Sequence, residues 1–211
     1  MKGAIQLSKE IVMRALIALA LLAVAPVASA QELPGQAVPA RVPAGTYSVD
    51  TGHTQVDFTV NHFGFSQFTG QAGGTTGTLT IDPAKPNDAK LDITIPTSGI
   101  VTTVAALDKH LATADFFDSA TYPTIRFVST KVVVTGTKAK ITGNLTLHGV
   151  TKPVTLDTVL VGAGTNPMMK KLNFGFEATT TIKRSAFGMD KYVPLVSDDV
   201  KLHINAAFSA Q

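Results

Sequence analysis

The sequence predicts an all-β domain of antiparallel strands that carries one short inserted helix. Three observations carry this. Apolar and polar residues alternate with period two along most of the chain after residue 46, the pattern of half-buried strands. The alternating runs are separated by short turn-forming stretches, so successive strands are antiparallel neighbours. A single segment, residues 100–118, breaks into helical spacing. Nearly every strand then has one apolar and one polar face, and either a sandwich or a sheet closed into a barrel hides such faces. Closure also removes exposed edges, but periodicity alone does not choose between the two.

Taken in order, Val56, Phe58, Val60 and His62 share one face, with Gln55, Asp57, Thr59 and Asn61 on the other. Leu79 and Ile81 point inward from residues 78–82, and Asp82-Pro83 begins a turn-rich stretch to Asp88. Leu91, Ile93 and Ile95 alternate with Asp92 and Thr94. Residues 100–118 place Val104, Leu107, Leu111 and Ala114 at helical spacing, which predicts a helix over about 103–114 capped by Thr102 or Thr103. Residues 124–134 and 153–161 are β-branched strands with less clean faces. Ile141, Leu145 and Leu147 form one face of the next run, and Leu172, Phe174, Phe176, Ala178 and Ile182 another. Val200, Leu202, Ile204, Ala206 and Phe208 alternate in the last strand.

The first thirty residues read differently. Lys2, Lys9 and Arg14 precede an apolar run of eleven residues, Ala15 to Ala25, and then Ala28-Ser29-Ala30. A basic start, a short apolar centre and a small-x-small end predict a secretory signal peptide over 1–30, cleaved between Ala30 and Gln31. The run falls short of the roughly 20 residues of a spanning helix. Residues 31–45 hold three prolines and two glycines and read as a flexible leader, with the domain over 46–211. Without residues 1–30 the chain keeps 15 of its 18 basic and 14 of its 15 acidic residues, a net charge of +1. Such a chain has no electrostatic footprint for nucleic acid. The sequence has no cysteine, which excludes disulfide staples, thiol nucleophiles and thiolate metal sites.

Four stretches resemble the YceI-like family of exported bacterial proteins. They are residues 47–70 with His53 and His62, the block LDKHLATADFFDSATYPTIRF at 107–127, GNLTLHGVTKPVTL at 143–156, and IKRSAFGMD at 182–190. The block at 107–127 is the most specific. The small-residue run Ala72 to Gly77 departs from the pattern and leaves the local structure open. The resemblance implies an antiparallel eight-stranded, extended lipocalin-like barrel that binds a polyisoprenoid or another long-chain lipid in the periplasm. It implies no enzyme activity, no cofactor and no membrane span after cleavage.

A long-chain ligand needs a deep apolar tunnel with a few polar groups at its mouth. Val56, Phe58, Val60, Leu91, Ile93, Phe174, Phe176 and Ile204 are the candidate walls. Phe116, Phe117, Tyr122 and Phe127, where the helix joins the next strand, are a candidate lid or wall. The competing reading of each is plain core. His62 falls on the apolar parity, where a polar group needs a partner. It is either satisfied by a backbone carbonyl or a donor to a headgroup at the mouth. His110 either packs on the barrel rim or touches the ligand. His53 reads as structural, and His148 and His203 as solvent-exposed. Arg184, Lys191 and Lys183 are candidates for neutralising a pyrophosphate-type headgroup, against the competing reading of ordinary surface charge. Arg184 ranks first because it belongs to the matched Arg-x-x-Phe-Gly-Met stretch, and the resemblance brings Phe187 into the site with it. No His-x-His or His-x-x-x-His pair suggests a metal.

Two other function classes remain in play. One is an enzyme acting on an isoprenoid-type substrate, although there is no Gly-x-Ser-x-Gly elbow. The other is an accessory domain for a membrane redox partner. Pairing of barrels into a homodimer is an expectation that no particular residue carries.

Overall fold

The computed structural model describes residues 32–210. The expected signal peptide and its cleavage site lie outside the described residues. Eleven strands follow in chain order: β1 (Gly45–Val49), β2 (Gln55–His62), β3 (Ser66–Ala72), β4 (Thr76–Ile81), β5 (Lys90–Pro96), β6 (Ile100–Val101), β7 (Thr124–Thr135), β8 (Lys138–Leu147), β9 (Val150–Thr165), β10 (Leu172–Lys183) and β11 (Asp199–Ala210). The helix α1 (Ala105–Leu111) sits between β6 and β7. Eight strands close into an antiparallel ring in the order β1-β4-β5-β7-β8-β9-β10-β11 and back to β1. Closure decides for the barrel over the sandwich.

The three remaining strands prolong the ring at the helix end. β1 and β2 lie end to end along one edge of β11, which pairs with β1 through Phe208–Ala210 and with β2 through Lys201–Asn205. β4 and β3, and likewise β5 and β6, are further split lanes. Where β1 gives way to β2, the Thr54 hydroxyl donates to the Ala207 carbonyl at 3.3 Å and accepts from the Ala207 N–H at 3.0 Å. The side chain thus satisfies the Ala207 N–H, while the Asp50 N–H donates to the Ala207 carbonyl at 2.8 Å. The small residues from Ala72 to Gly77 mark a second kink: β3 ends, three residues cross, and β4 begins. There the Gly73 N–H donates to the Gly99 carbonyl at 3.0 Å, and a Cβ on Gly99 would lie 2.3 Å from the Gly73 oxygen. Only a bare backbone allows that approach.

Two bulges interrupt the alternation, one within 124–134 and one at the end of 153–161. In β7 the pairing jumps from Ser129↔Gly143 to Lys131↔Thr142. One extra residue, Thr130, moves the inward parity from Ile125 and Phe127 to Val132 and Val134. In β9 the pairing to β10 passes from Leu160↔Phe176 to Gly162↔Gly175, leaving Val161 pushed outward and 60% exposed.

The helix is shorter than the spacing predicts. Val104 is its N-cap and carries no capping side chain. Thr102 is engaged, but its N–H and hydroxyl donate to Asp108 Oδ1 at 2.7 and 2.6 Å instead of capping the first turn. After Leu111 the chain turns tightly, with Phe117 N–H bonded to the Leu111 carbonyl at 3.0 Å.

Residues 34–44, expected as a flexible leader, are instead strapped to the barrel end away from the helix. Gln36 and Ala163 exchange two backbone hydrogen bonds, 3.2 and 2.9 Å. Val42 is buried among Tyr47, Val49, Leu79, Ala163, Phe174 and Phe208. The buried valine and the two-bond bridge hold the segment against the barrel. The close approach needs glycine on β9, because a Cβ at Gly164 would lie 1.9 Å from the Pro34 carbonyl oxygen. Gly164→Ala is therefore expected to release the strap. Limited proteolysis would then cut within 34–44 while the barrel core stays resistant.

A barrel cavity open at the helix end

The inward faces of all eight lanes surround a cavity of about 630 Å³. That lies within the roughly 300–1,000 Å³ of small-molecule sites. Its wall is almost wholly hydrocarbon, and it runs the length of the barrel, from Pro86 and Ala89 to His62 and Tyr192. Phe58, Val60, Leu91, Ile93, Ile95 and Ile125 point inward yet are only half-buried, because their inner sides face this space and not other side chains. A side-chain-filled barrel would bury them all.

The two ends differ. Away from the helix, Phe174 stacks on Phe208 with ring centres 5.6 Å apart and meets Tyr47 edge-on at 4.7 Å. Tyr47 donates its hydroxyl to the Pro43 carbonyl at 2.7 Å, fixing the ring in this floor. At the helix end, the exposed lining residues gather: His62, Phe63 and Tyr192. The mouth is there.

Most of the residues singled out in the sequence meet in this one cavity. Val56, Phe58, Val60, His62, His110, Phe116, Phe117, Phe127, Phe176 and Arg184 all line it. Three others do not. Phe174 is inward but 3% exposed, locked in the aromatic floor below the cavity. Phe187 is 2% exposed and packs with Leu147, Ile182, Met189 and Val200. Tyr122 stacks edge-on against His148 at 4.9 Å and covers Gly149, so it braces the β8–β9 turn and is no part of the lid. His148 is accordingly half-buried, its Nδ1–H donating to the Phe187 carbonyl at 3.1 Å, and not solvent-exposed. His203 stands on the outer face, with Nε2 2.9 Å from Glu177. His53 bonds Asp50 at 2.9 Å across its own turn.

Polar groups at the mouth are few. His62 is exposed, meets Phe63 edge-on at 4.6 Å and has no ring hydrogen bond to the described residues. His110 Nε2 lies 3.1 Å from Asp115, whose other oxygen is 3.3 Å from Lys191 Nζ. This chain of contacts ties the segment after α1 to the β10–β11 loop across the mouth. The His110 hydrogen bond, then Lys191, hold the Asp115 carboxyl below its usual range.

Arg184 sits differently from its expected role. It is 5% exposed, and its guanidinium donates to four backbone carbonyls: Ser197 at 2.9 Å, and Met189, Lys191 and Val196 at 2.8 Å each. Burial pushes its pKa down, opposed by Asp198 and Asp190. Four of its five donors are spent on the loop that forms one side of the mouth. Sequence reasoning missed Tyr192 and Val196 on that same loop. The apolar run Tyr-Val-Pro-Leu-Val at 192–196 was the available signal, but without a strand or helix period it points to no face.

Among the described residues, no group of three or more histidines and carboxylates is placed to hold a metal ion, and no helix is long and apolar enough to cross a membrane.

Comparison with known proteins agrees with this geometry. Protein YceI of Escherichia coli O157:H7 is 40% identical over 164 residues, covering 77% of this chain and 85% of that protein. The crystal structure of Burkholderia cenocepacia BcnA matches with a TM-score of 0.68 at 25% identity, covering 75% of this chain and 98% of that one. A polyisoprenoid binding domain from Saccharophagus degradans shares the fold at 15% identity, with a TM-score of 0.60 over 78% of this chain and 98% of its own. The YceI-like domain model matches residues 47–208, and the chain belongs to that family.

Proposed function

We propose that this protein binds a long-chain hydrophobic ligand, of polyisoprenoid, quinone-like or fatty-amide type, in the barrel interior without chemically changing it. The cavity carries this reading: a long space walled by hydrocarbon, floored by aromatic rings and open at one end. Each methylene buried there contributes about 0.8 kcal/mol, so a chain of ten or more gains most of its affinity from desolvation alone. The sparse polar rim suits a single headgroup, with His62 and His110 the histidines of the cavity lining. The polyisoprenoid binding domain that shares the fold is consistent with this ligand class. With the expected signal peptide, the site of action is the periplasm, where such molecules must cross water for transport, storage or stress protection.

Extraction of the purified protein with organic solvent, followed by mass spectrometry, tests this directly. The expected result is a long-chain lipid near one per barrel. Protein that yields none, and takes up none from mixed lipid, would refute the reading.

A further inference from the structure

We propose that the rim of the mouth is a membrane-docking surface. It seats the open end of the barrel on a lipid bilayer, so that a hydrocarbon chain passes between bilayer and cavity without entering water. The cargo in this statement rests on the proposed function; the docking itself does not.

The rim is made by two segments. The β2–β3 hairpin presents Phe63, 44% exposed, and Phe65, 90% exposed. The β10–β11 loop presents Tyr192, Val193 and Leu195, which are 46%, 37% and 56% exposed. The segments are joined, since the Phe63 N–H donates to the Leu195 carbonyl at 2.7 Å and the Ser197 N–H to the Asn61 carbonyl at 2.9 Å. Five large apolar side chains therefore stand on one supported ledge. Phe63 and Tyr192 hold φ of 55° and 65°, a region that bulky residues rarely adopt. Such backbone is strained and persists where the surroundings enforce it.

Continuity identifies the occupant. Phe63 and Tyr192 belong both to the exposed ledge and to the cavity wall, so apolar surface runs unbroken from inside to outside. A ligand leaving through this mouth into water would lose the favourable burial of every methylene that emerges. A bilayer pressed against the ledge offers hydrocarbon at that point and removes the loss. A second copy of the chain would cap the mouth instead. The flanking charges, Asp190 and Lys191, are of both signs, and Lys191 is already engaged by Asp115. Seating is thus by apolar insertion, and anionic lipid is not required.

The test is flotation of the purified full-length mature protein with phosphatidylcholine vesicles, comparing wild type with the double variant Phe65→Ser/Leu195→Ser. Both positions are exposed, so the variant keeps its fold, checked by circular dichroism and melting temperature. Wild type is expected to float with the vesicles, and the variant at least about ten-fold less. Solvent-extractable lipid is expected to be equal in the two, with its exchange into vesicles slower from the variant. Wild type left in the soluble fraction, or a variant that floats equally well, overturns the proposal. So does a wild-type dimer that the variant converts to monomer, because the ledge then belongs to a second copy. Absence of extractable lipid from both proteins counts against the cargo alone, and flotation still decides the docking.

Discussion

Replacing Ile93 by tryptophan is expected to cut ligand affinity by roughly fifty-fold while leaving the barrel folded. Ile93 lies on β5, points into the cavity and is only half-buried, so a larger ring enters open space and does not press on a packed core. If the indole excludes about three methylenes of ligand, the loss is about 2.4 kcal/mol. That corresponds to the stated factor. Val154→Trp, from β9 on another part of the wall, is expected to act the same way. The measurement is lipid bound per folded protein at limiting lipid, alongside the melting temperature. Unchanged lipid content in a variant that melts normally would place the ligand somewhere other than the cavity.

The reason such a substitution can be named from the wall also explains what the sequence could and could not reveal. Period two assigns each strand residue to a face, so the pattern alone puts Val56, Phe58, Val60, Ile93 and Phe176 inward, where they lie. It does not say whether an inward residue meets another side chain or open space. Phe174 and Phe176 share a strand and a parity, yet one is sealed in the floor and the other lines the cavity. That difference is set by distance along the barrel, which depends on the stagger of strands in the closed ring. Parity also fails at a bulge, as at Thr130 and Val161, where one extra residue reverses the pattern. The strap at 34–44 was illegible for another reason. Proline and glycine there signal the absence of a helix or strand, and the sequence cannot separate a loose segment from one pinned by a partner 127 positions away, as Gln36 is by Ala163.

The mouth shows the same limit more sharply. Its walls come from a helix end, a hairpin and a loop, and only the helix has a period. Parity singled out His62, and the matched stretches His110 and Arg184, each with a structural and a ligand-facing reading. All three line the cavity, which leaves the choice between the readings to their polar atoms. What the sequence could not convey is which of them has polar atoms to spare. His62 has its ring nitrogens free of the described residues, His110 shares one with Asp115, and Arg184 has given almost all of its donors to the backbone.

Arg184→Ala is therefore expected to act first on stability. Truncation strips the donor from four carbonyls of residues 189–197, each bonded at 2.8–2.9 Å. Carbonyls left without partners in a partly buried loop, and the cavity left by the guanidinium, together cost about 3 kcal/mol. In a domain of this size that lowers the melting temperature by roughly 6–12 °C. Arg184→Lys is expected to recover only part, because an ammonium has three donors on a point charge and cannot reproduce the planar fork. The loop also carries Tyr192 and Val196, so its loosening widens the mouth and speeds ligand loss in proportion to the lost stability. The rival role, charge neutralisation of a headgroup, makes the opposite forecast: a normal melting temperature with binding abolished, and full rescue by lysine. Thermal melts and lipid content of the two variants, measured side by side, separate a residue that builds the mouth from one that touches what enters it.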